Sequence, residues 1–310
     1  MHAQFKGVPA IVLATKKLRV AVIPGQGAHI ASLYDLETGH EMLWQPGGDT
    51  YRLSRPGEPF EEGECAGIDD MFPCAAACKL AEGFYAGTRL PDHGETWTLP
   101  CETAAQGEDA ASFTMWGECL PYTLTKSISL QGSALRVGYR AVNTGSRAFP
   151  FLWAAHPLFR AEDYSAILAP GLRGEVGLPF CFGKEKASGR LRYPADCWDD
   201  GTPADLTRIP PKEAGIGYKF MSGAPVFQGR CLLVGAPGKK SLEVEFPADK
   251  VPFLGVWVDA CSNGKAPAYV VAPEPSTHYS VDLNDDLLSK ANVLQAGASF
   301  EWWIQYTLKT

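Results

Sequence analysis

Apolar residues recur at every second position along much of this chain, a pattern that commits it to sheets. In SLEVEF (241–246), Leu242, Val244 and Phe246 alternate with Ser241, Glu243 and Glu245. SFEWWIQYTL (299–308) sets Phe300, Trp302, Ile304, Tyr306 and Leu308 on one side. TLTKSISLQGSALRVGYRAVNTG (123–145) reads as a hairpin. Leu124, Ile128 and Leu130 line one face before Gln131-Gly132-Ser133, and Leu135, Val137, Tyr139 and Ala141 follow the turn. Successive side chains of a strand point to opposite faces, so these stretches predict strands with one face in a core and one in water. The 32 glycines and 24 prolines are spread throughout and break the chain too often for long helices. DLNDDLLSKANVL (282–294) is the one helix candidate, and a short one.

A second kind of strand is expected in FPFLWAA (149–155) and VPFLGVWV (251–258), which are apolar on both faces and need covering twice. A large stacked antiparallel sandwich accounts for both kinds. No internal repeat, low-complexity segment or composition break marks a linker, so residues 1–310 are expected to form a single all-β domain. The Pro-, Gly- and charge-rich stretch 188–215 is expected to be a long surface excursion.

Hydrophobic residues make up 45% and charged residues 20%, as in an ordinary globular protein. The net charge of -7 comes without a basic cluster, which argues against nucleic acid as a partner. No apolar run reaches the ~18–20 residues of a membrane helix. The first twenty residues lack the ordered regions of a signal peptide and read as a first strand. Nine scattered cysteines, an odd number, predict thiols and a reduced cytoplasm rather than a disulfide scaffold. Cys74 and Cys78 have no second pair to complete a zinc site and are expected to be small buried residues.

Reactive side chains interrupt the pattern in three places. His156 sits in the apolar run FLWAAHPLF (151–159), on the side of the implied strand that carries Leu152, Ala154 and Leu158. A buried imidazole needs partners for its ring nitrogens. From this run alone a tied-down core histidine is the expectation. LPDHGETW (90–97) gathers Asp92, His93 and Glu95 in a turn, where a solvated loop is the commoner reading. In VVAPEPSTHYS (270–280), Glu274 stands between two prolines, which fix the backbone that carries it. Two histidines and a glutamate fit a metal site, nucleophilic catalysis or general acid–base work. No H-x-H, H-E-x-x-H or G-x-S-x-G spacing supports the first two. Acid–base work needs no metal and no cofactor, and none is expected.

Several segments, taken in order, resemble the aldose 1-epimerase (galactose mutarotase-like) superfamily. RAVNTGSRAFPFLWAAHPLF (140–159) resembles the segment carrying its catalytic histidine, and LPDHGETW the earlier His-Gly segment. GIDDMFP (67–73) resembles the stretch before that. VPFLGVWVDA with VVAPEPST resembles the aromatic strand and the strand of the catalytic glutamate, and ANVLQAGASFEWWIQYTL the closing segment. The resemblance implies an antiparallel β-supersandwich. It implies that Glu274 is the general base for the C1 hydroxyl of a cyclic sugar and that His156 is the general acid for its ring oxygen. His93 would hydrogen-bond the sugar. Trp97, Trp153 and Trp257 are candidate stacking platforms, with a core position the competing expectation for each.

The family's substrate-binding aspartate has no counterpart in GIGYKF (215–220), so Asp70 is nominated in its place. Arg89 is nominated for the family's arginine before the first histidine, and Lys219 for an anionic sugar. The leading expectation is an aldose 1-epimerase-like isomerase acting on a small sugar. A non-catalytic carbohydrate-binding protein of the same fold is the alternative, and a metal-dependent sugar isomerase a third.

Overall fold

The computed structural model describes residues 3–262, 268–285 and 292–310. Among them there is no α-helix, only short 3-10 turns between strands. The registered strand pairs in the sheets are antiparallel. The middle of the helix candidate, 286–291, lies outside the described residues, and Val293–Leu294 at its end is a strand.

The chain divides into two compact units. One comprises Met1–His156 with Ser280–Ile304, the other Pro157–Tyr279 with Gln305–Thr310.

In the first unit, Ala3–Phe5, Val8–Ala14, Leu18–Ile23, His29–Asp35, Ile68–Met71 and Ala154–Pro157 lie side by side in that order. Glu102–Gln106, Ala110–Trp116, Tyr122–Gln131 and Ala134–Asn143 form a second layer. The hairpin expected at 123–145 is present, closed by Gly132 and Ser133 between the paired Gln131 and Ala134. Its inward positions meet an aromatic core. Trp302 stacks on Tyr139 at 5.1 Å and lies 5.4 Å from Trp153, and Phe72 meets Tyr122 edge-on at 4.8 Å. Each buried aromatic side chain contributes roughly 1.5–3 kcal/mol from removal of apolar surface, an upper figure because the unfolded chain already buries part of it.

The inward row of the hairpin also carries Lys126, which is fully buried between Leu124 and Ile128. Its ammonium lies 2.7 Å from Asp70 Oδ2. A buried charge needs such a partner.

In the second unit, Arg190–Tyr193, Gly174–Phe182, Ile216–Ser222, Phe253–Ala260 and Tyr269–Ser276 lie side by side. Tyr164–Leu168, Arg230–Gly235 and Ser241–Glu245 form another set, with Gln305–Lys309 paired to the last. Val256, Val258 and Val271 are fully buried on one face of the first set, as the two-sided apolar pattern of 251–258 requires.

Three local expectations are corrected. FPFLWAA is buried but is not one continuous strand: only Phe149–Pro150 and Ala154–Pro157 are extended ladders. Between them the backbone bonds elsewhere, Phe151 N–H to Asn292 O at 2.9 Å and Leu152 N–H to Pro73 O at 2.7 Å. The stretch 188–215 is not merely a surface excursion. It contains Arg190–Tyr193 and the paired Ala195–Cys197 and Pro203–Asp205, and it buries Leu191, Trp198 and Leu206. Glu243, on the outward row of SLEVEF, is itself buried, between Arg230 and Lys309.

Candidate active site

In the first unit the loop 90–97 is tied at both ends to the core. His93 N–H donates to Ala75 O at 2.7 Å, and Glu95 N–H to Phe72 O at 3.0 Å. His93 adopts a left-handed backbone (φ 59°), and Gly94 follows at φ 69°. Only glycine fits at 94, because an added Cβ would lie 2.3 Å from the Phe72 carbonyl oxygen. Trp97 donates its indole N–H to Gly94 O at 3.0 Å from inside the turn. The tight backbone therefore fixes where the His93 imidazole points.

It points at an aromatic cluster. His93 stacks on Phe60 at 4.0 Å with 11° between planes, and His156 meets both rings edge-on, 4.9 Å from Phe60 and 5.2 Å from His93. His156 is half-buried, unlike the fully covered apolar residues on either side of it. The histidine of FLWAAHPLF thus belongs to an aromatic cluster, half-buried with its Nδ1 covered. His93 Nδ1 hydrogen-bonds Asp92 Oδ2 at 2.8 Å. That bond holds the Asp92 carboxyl below its ordinary carboxylate value. It also fixes the ring orientation and leaves Nε2 of His93 as the nitrogen for a ligand. Two oriented imidazoles can donate, accept or relay a proton.

In the second unit Glu274 lies on the strand Tyr269–Ser276 and is 1% exposed. The Lys219 ammonium, on Ile216–Ser222, forms a buried ion pair with its Oε2. Between their strands runs Phe253–Ala260, where Gly255 stands opposite Glu274 and Trp257 opposite Lys219. An added Cβ at Gly255 would lie 2.9 Å from Met221 Cε and 3.4 Å from Lys219 Cε, so the glycine leaves room beside the pair.

Several nominated residues have other duties. Asp70 does not stand open to a sugar: it is buried, paired with Lys126, and accepts the Trp153 indole N–H at 3.1 Å. Trp153 is fully buried against Tyr139 and Trp302 and cannot present a face to ligand. Trp97 is likewise interior. Lys219 is bound to Glu274 rather than open to an anion. Glu95 turns inward and accepts the Glu118 and Cys119 N–H groups at 3.0 and 2.9 Å. Arg89 is exposed on the two-residue strand Arg89–Leu90, opposite Lys79. Trp257 remains half-buried, with its ring edge toward Phe182. Cys74 is buried and Cys78 half-buried, and all nine cysteines are thiols.

Sequence reading missed Phe60, the ring against which both imidazoles rest. Its signal was a lone large apolar residue in the charged stretch RPGEPFEEGE. It also missed His29, buried with its Nδ1 2.6 Å from Asp69. Among the described residues, no three His, Cys, Asp or Glu side chains gather as a metal ion would require.

No family model matches the chain, and no curated protein does. Solved structures do resemble it over nearly their whole length. A galactose mutarotase related enzyme from Lactobacillus acidophilus has a TM-score of 0.67 at 14% identity, with 97% of each chain covered. A proposed aldose 1-epimerase from Escherichia coli K12 gives 0.66 at 16% identity, covering 97% of this chain and 98% of that one. A galactose mutarotase-like protein from Lactobacillus casei gives 0.61 at 17% identity, covering 96% and 99%. At such identities the likeness carries the architecture and not the chemistry, and the architecture of this chain is the galactose mutarotase-like β-sandwich.

Proposed function

We propose that this protein is an aldose 1-epimerase-like isomerase that interconverts the α and β anomers of a sugar without metal or cofactor. The observation that carries the reading is the meeting of His93 and His156, imidazoles nominated from separate segments, with rings 5.2 Å apart against Phe60. The fold of the similar solved structures supports the same reading.

Glu274 takes the proton of the C1 hydroxyl through Oε1, since Lys219 occupies Oε2. His156 protonates the ring oxygen as the C1–O5 bond breaks. The aldehyde rotates about C1–C2, and the two transfers run in reverse to close the other anomer, so no proton is consumed. His93, oriented by Asp92, hydrogen-bonds the sugar beside the ring oxygen. A positioned acid or base contributes about 10²–10⁴-fold, ample for a nearly thermoneutral reaction that already proceeds in water.

The test is polarimetry of freshly dissolved α-glucose and α-galactose. Catalysed approach to equilibrium by the wild type, lost in His156→Asn, supports the reading. One observation favours a second reading, a sugar-binding protein without turnover: the ion pair with Lys219 engages the carboxylate that must act as base. Saturable sugar binding with no acceleration would select that alternative.

A further inference from the structure

We infer that the second unit carries an aromatic subsite beside Glu274 that takes the non-reducing ring of a reducing disaccharide or longer glycan. The inference rests on the reading that Glu274 works at the anomeric carbon. It concerns residues to which neither the sequence nor that reading gives a role: Phe180 and Phe182.

Strand register places these residues on one face. Phe180 stands opposite Lys219, Lys219 opposite Trp257, and Trp257 opposite Ala272, two residues from Glu274 on the same strand. Phe182 stands opposite Gly217 in the next row. Side chains at directly opposed positions share a face, as do those two apart along a strand. One face therefore bears Glu274, Trp257, Lys219 and then Phe180 and Phe182 across four successive strands. The opposite face bears Tyr218, Phe220, Val256 and Val258, all buried in the core.

Phe180 and Phe182 are 48% and 51% exposed, large rings that nothing in the fold requires at the surface. Gly217 keeps the row open. An added Cβ there would lie 2.7 Å from Ser262 Oγ and 3.4 Å from the tip of the Trp257 indole, so with glycine in place the indole meets Phe182 edge-on at 6.3 Å without a side chain between them. The rank runs from a buried carboxylate–ammonium pair to exposed aromatic faces, which can pack against the C–H face of a pyranose. That combination suits carbohydrate rather than a peptide or a lipid.

The spacing sets the size of the ligand. Three strand intervals of ~4.8 Å separate the Glu274 strand from the Phe182 strand, about 14 Å in all and farther than one pyranose reaches.

The experiment measures binding and turnover separately. Dissociation constants of glucose, maltose, galactose and lactose are taken by calorimetry for the wild type, Phe182→Ala and Phe182→Tyr. Phe227→Ala serves as a control, since Phe227 is an exposed phenylalanine that packs on Arg173 elsewhere in the unit. The wild type should prefer each disaccharide to its monosaccharide by about tenfold, the scale of one aromatic contact. Phe182→Ala should lose that preference, while Phe182→Tyr and Phe227→Ala keep it. Equal affinity for one ring and two, no measurable binding, or a preference that survives Phe182→Ala would overturn the inference. Polarimetry on the same samples separates the two proposals. Selective binding without mutarotation removes the enzymatic reading alone, and mutarotation of monosaccharides without disaccharide preference removes the subsite alone.

Discussion

Asp92 and His93 form an orienting pair with a defined pH signature. The hydrogen bond from His93 depresses the Asp92 carboxyl relative to its unfolded value of 3.8. A depressed carboxyl stabilises the fold fully above its unfolded value and loses that contribution as the pH falls below it. The side chain is 43% exposed, so solvent screening keeps the gain small. Thermal stability of the wild type should therefore fall more steeply than that of Asp92→Asn below about pH 4. Parallel curves would remove the pair from the account. The buried pair of Lys219 and Glu274 is the stronger case. Lys219→Met leaves an uncompensated carboxylate and should cost about 3–5 kcal/mol in urea denaturation, with much of it recovered by adding Glu274→Gln. A loss below about 1 kcal/mol would mean that water reaches Glu274 without the lysine. At this scale the sequence was partly legible. His93 and Glu274 stood out because reactive side chains interrupted an apolar pattern. The partners of Asp70 and Lys219 were not legible, because a pairing between strands far apart in the chain leaves no local trace.

The strands themselves were the most legible elements, since alternation reports directly on which face is buried. Where expectation and structure part, the cause is a bond from outside the element. FPFLWAA leaves its ladder because Phe151 and Leu152 find carbonyl partners at Asn292 and Pro73. Lys126 was the overlooked clue: a lysine on the inward row of a regular hairpin demands a buried anion, and Asp70 supplies it. The loop 90–97 depends on one element-level constraint, the approach of Gly94 to Phe72. Gly94→Ala places a Cβ 2.3 Å from the Phe72 oxygen at a backbone φ of 69°. Left-handed strain alone costs about 1–2 kcal/mol, and displacement of the loop adds to it. The expected outcome is a Tm several degrees lower and His93 resonances shifted by NMR. An unchanged spectrum would show that the loop can relax without moving the imidazole.

For the whole molecule, the sheet architecture followed from period two, glycine and proline alone. Its division into two compact units did not, because no linker composition separates chain segments that interleave in this way. Among the described residues no helix is long and apolar enough to cross a membrane. The nine thiols allow a global check. Under non-reducing conditions, thiol titration should give nine equivalents after denaturation, with Cys197, the exposed one, reacting first in the native protein. A shortfall would reveal a disulfide. The central claim, that Glu274 and His156 act as base and acid on one sugar, is tested most directly by polarimetry of α-galactose. Wild type, Glu274→Gln, His156→Asn and the double variant are compared. Groups that act as a unit lose activity non-additively, so each single variant should fall by about 10²–10⁴-fold and the double variant little further. Full activity in either single variant, or losses that multiply in the double, would contradict the account.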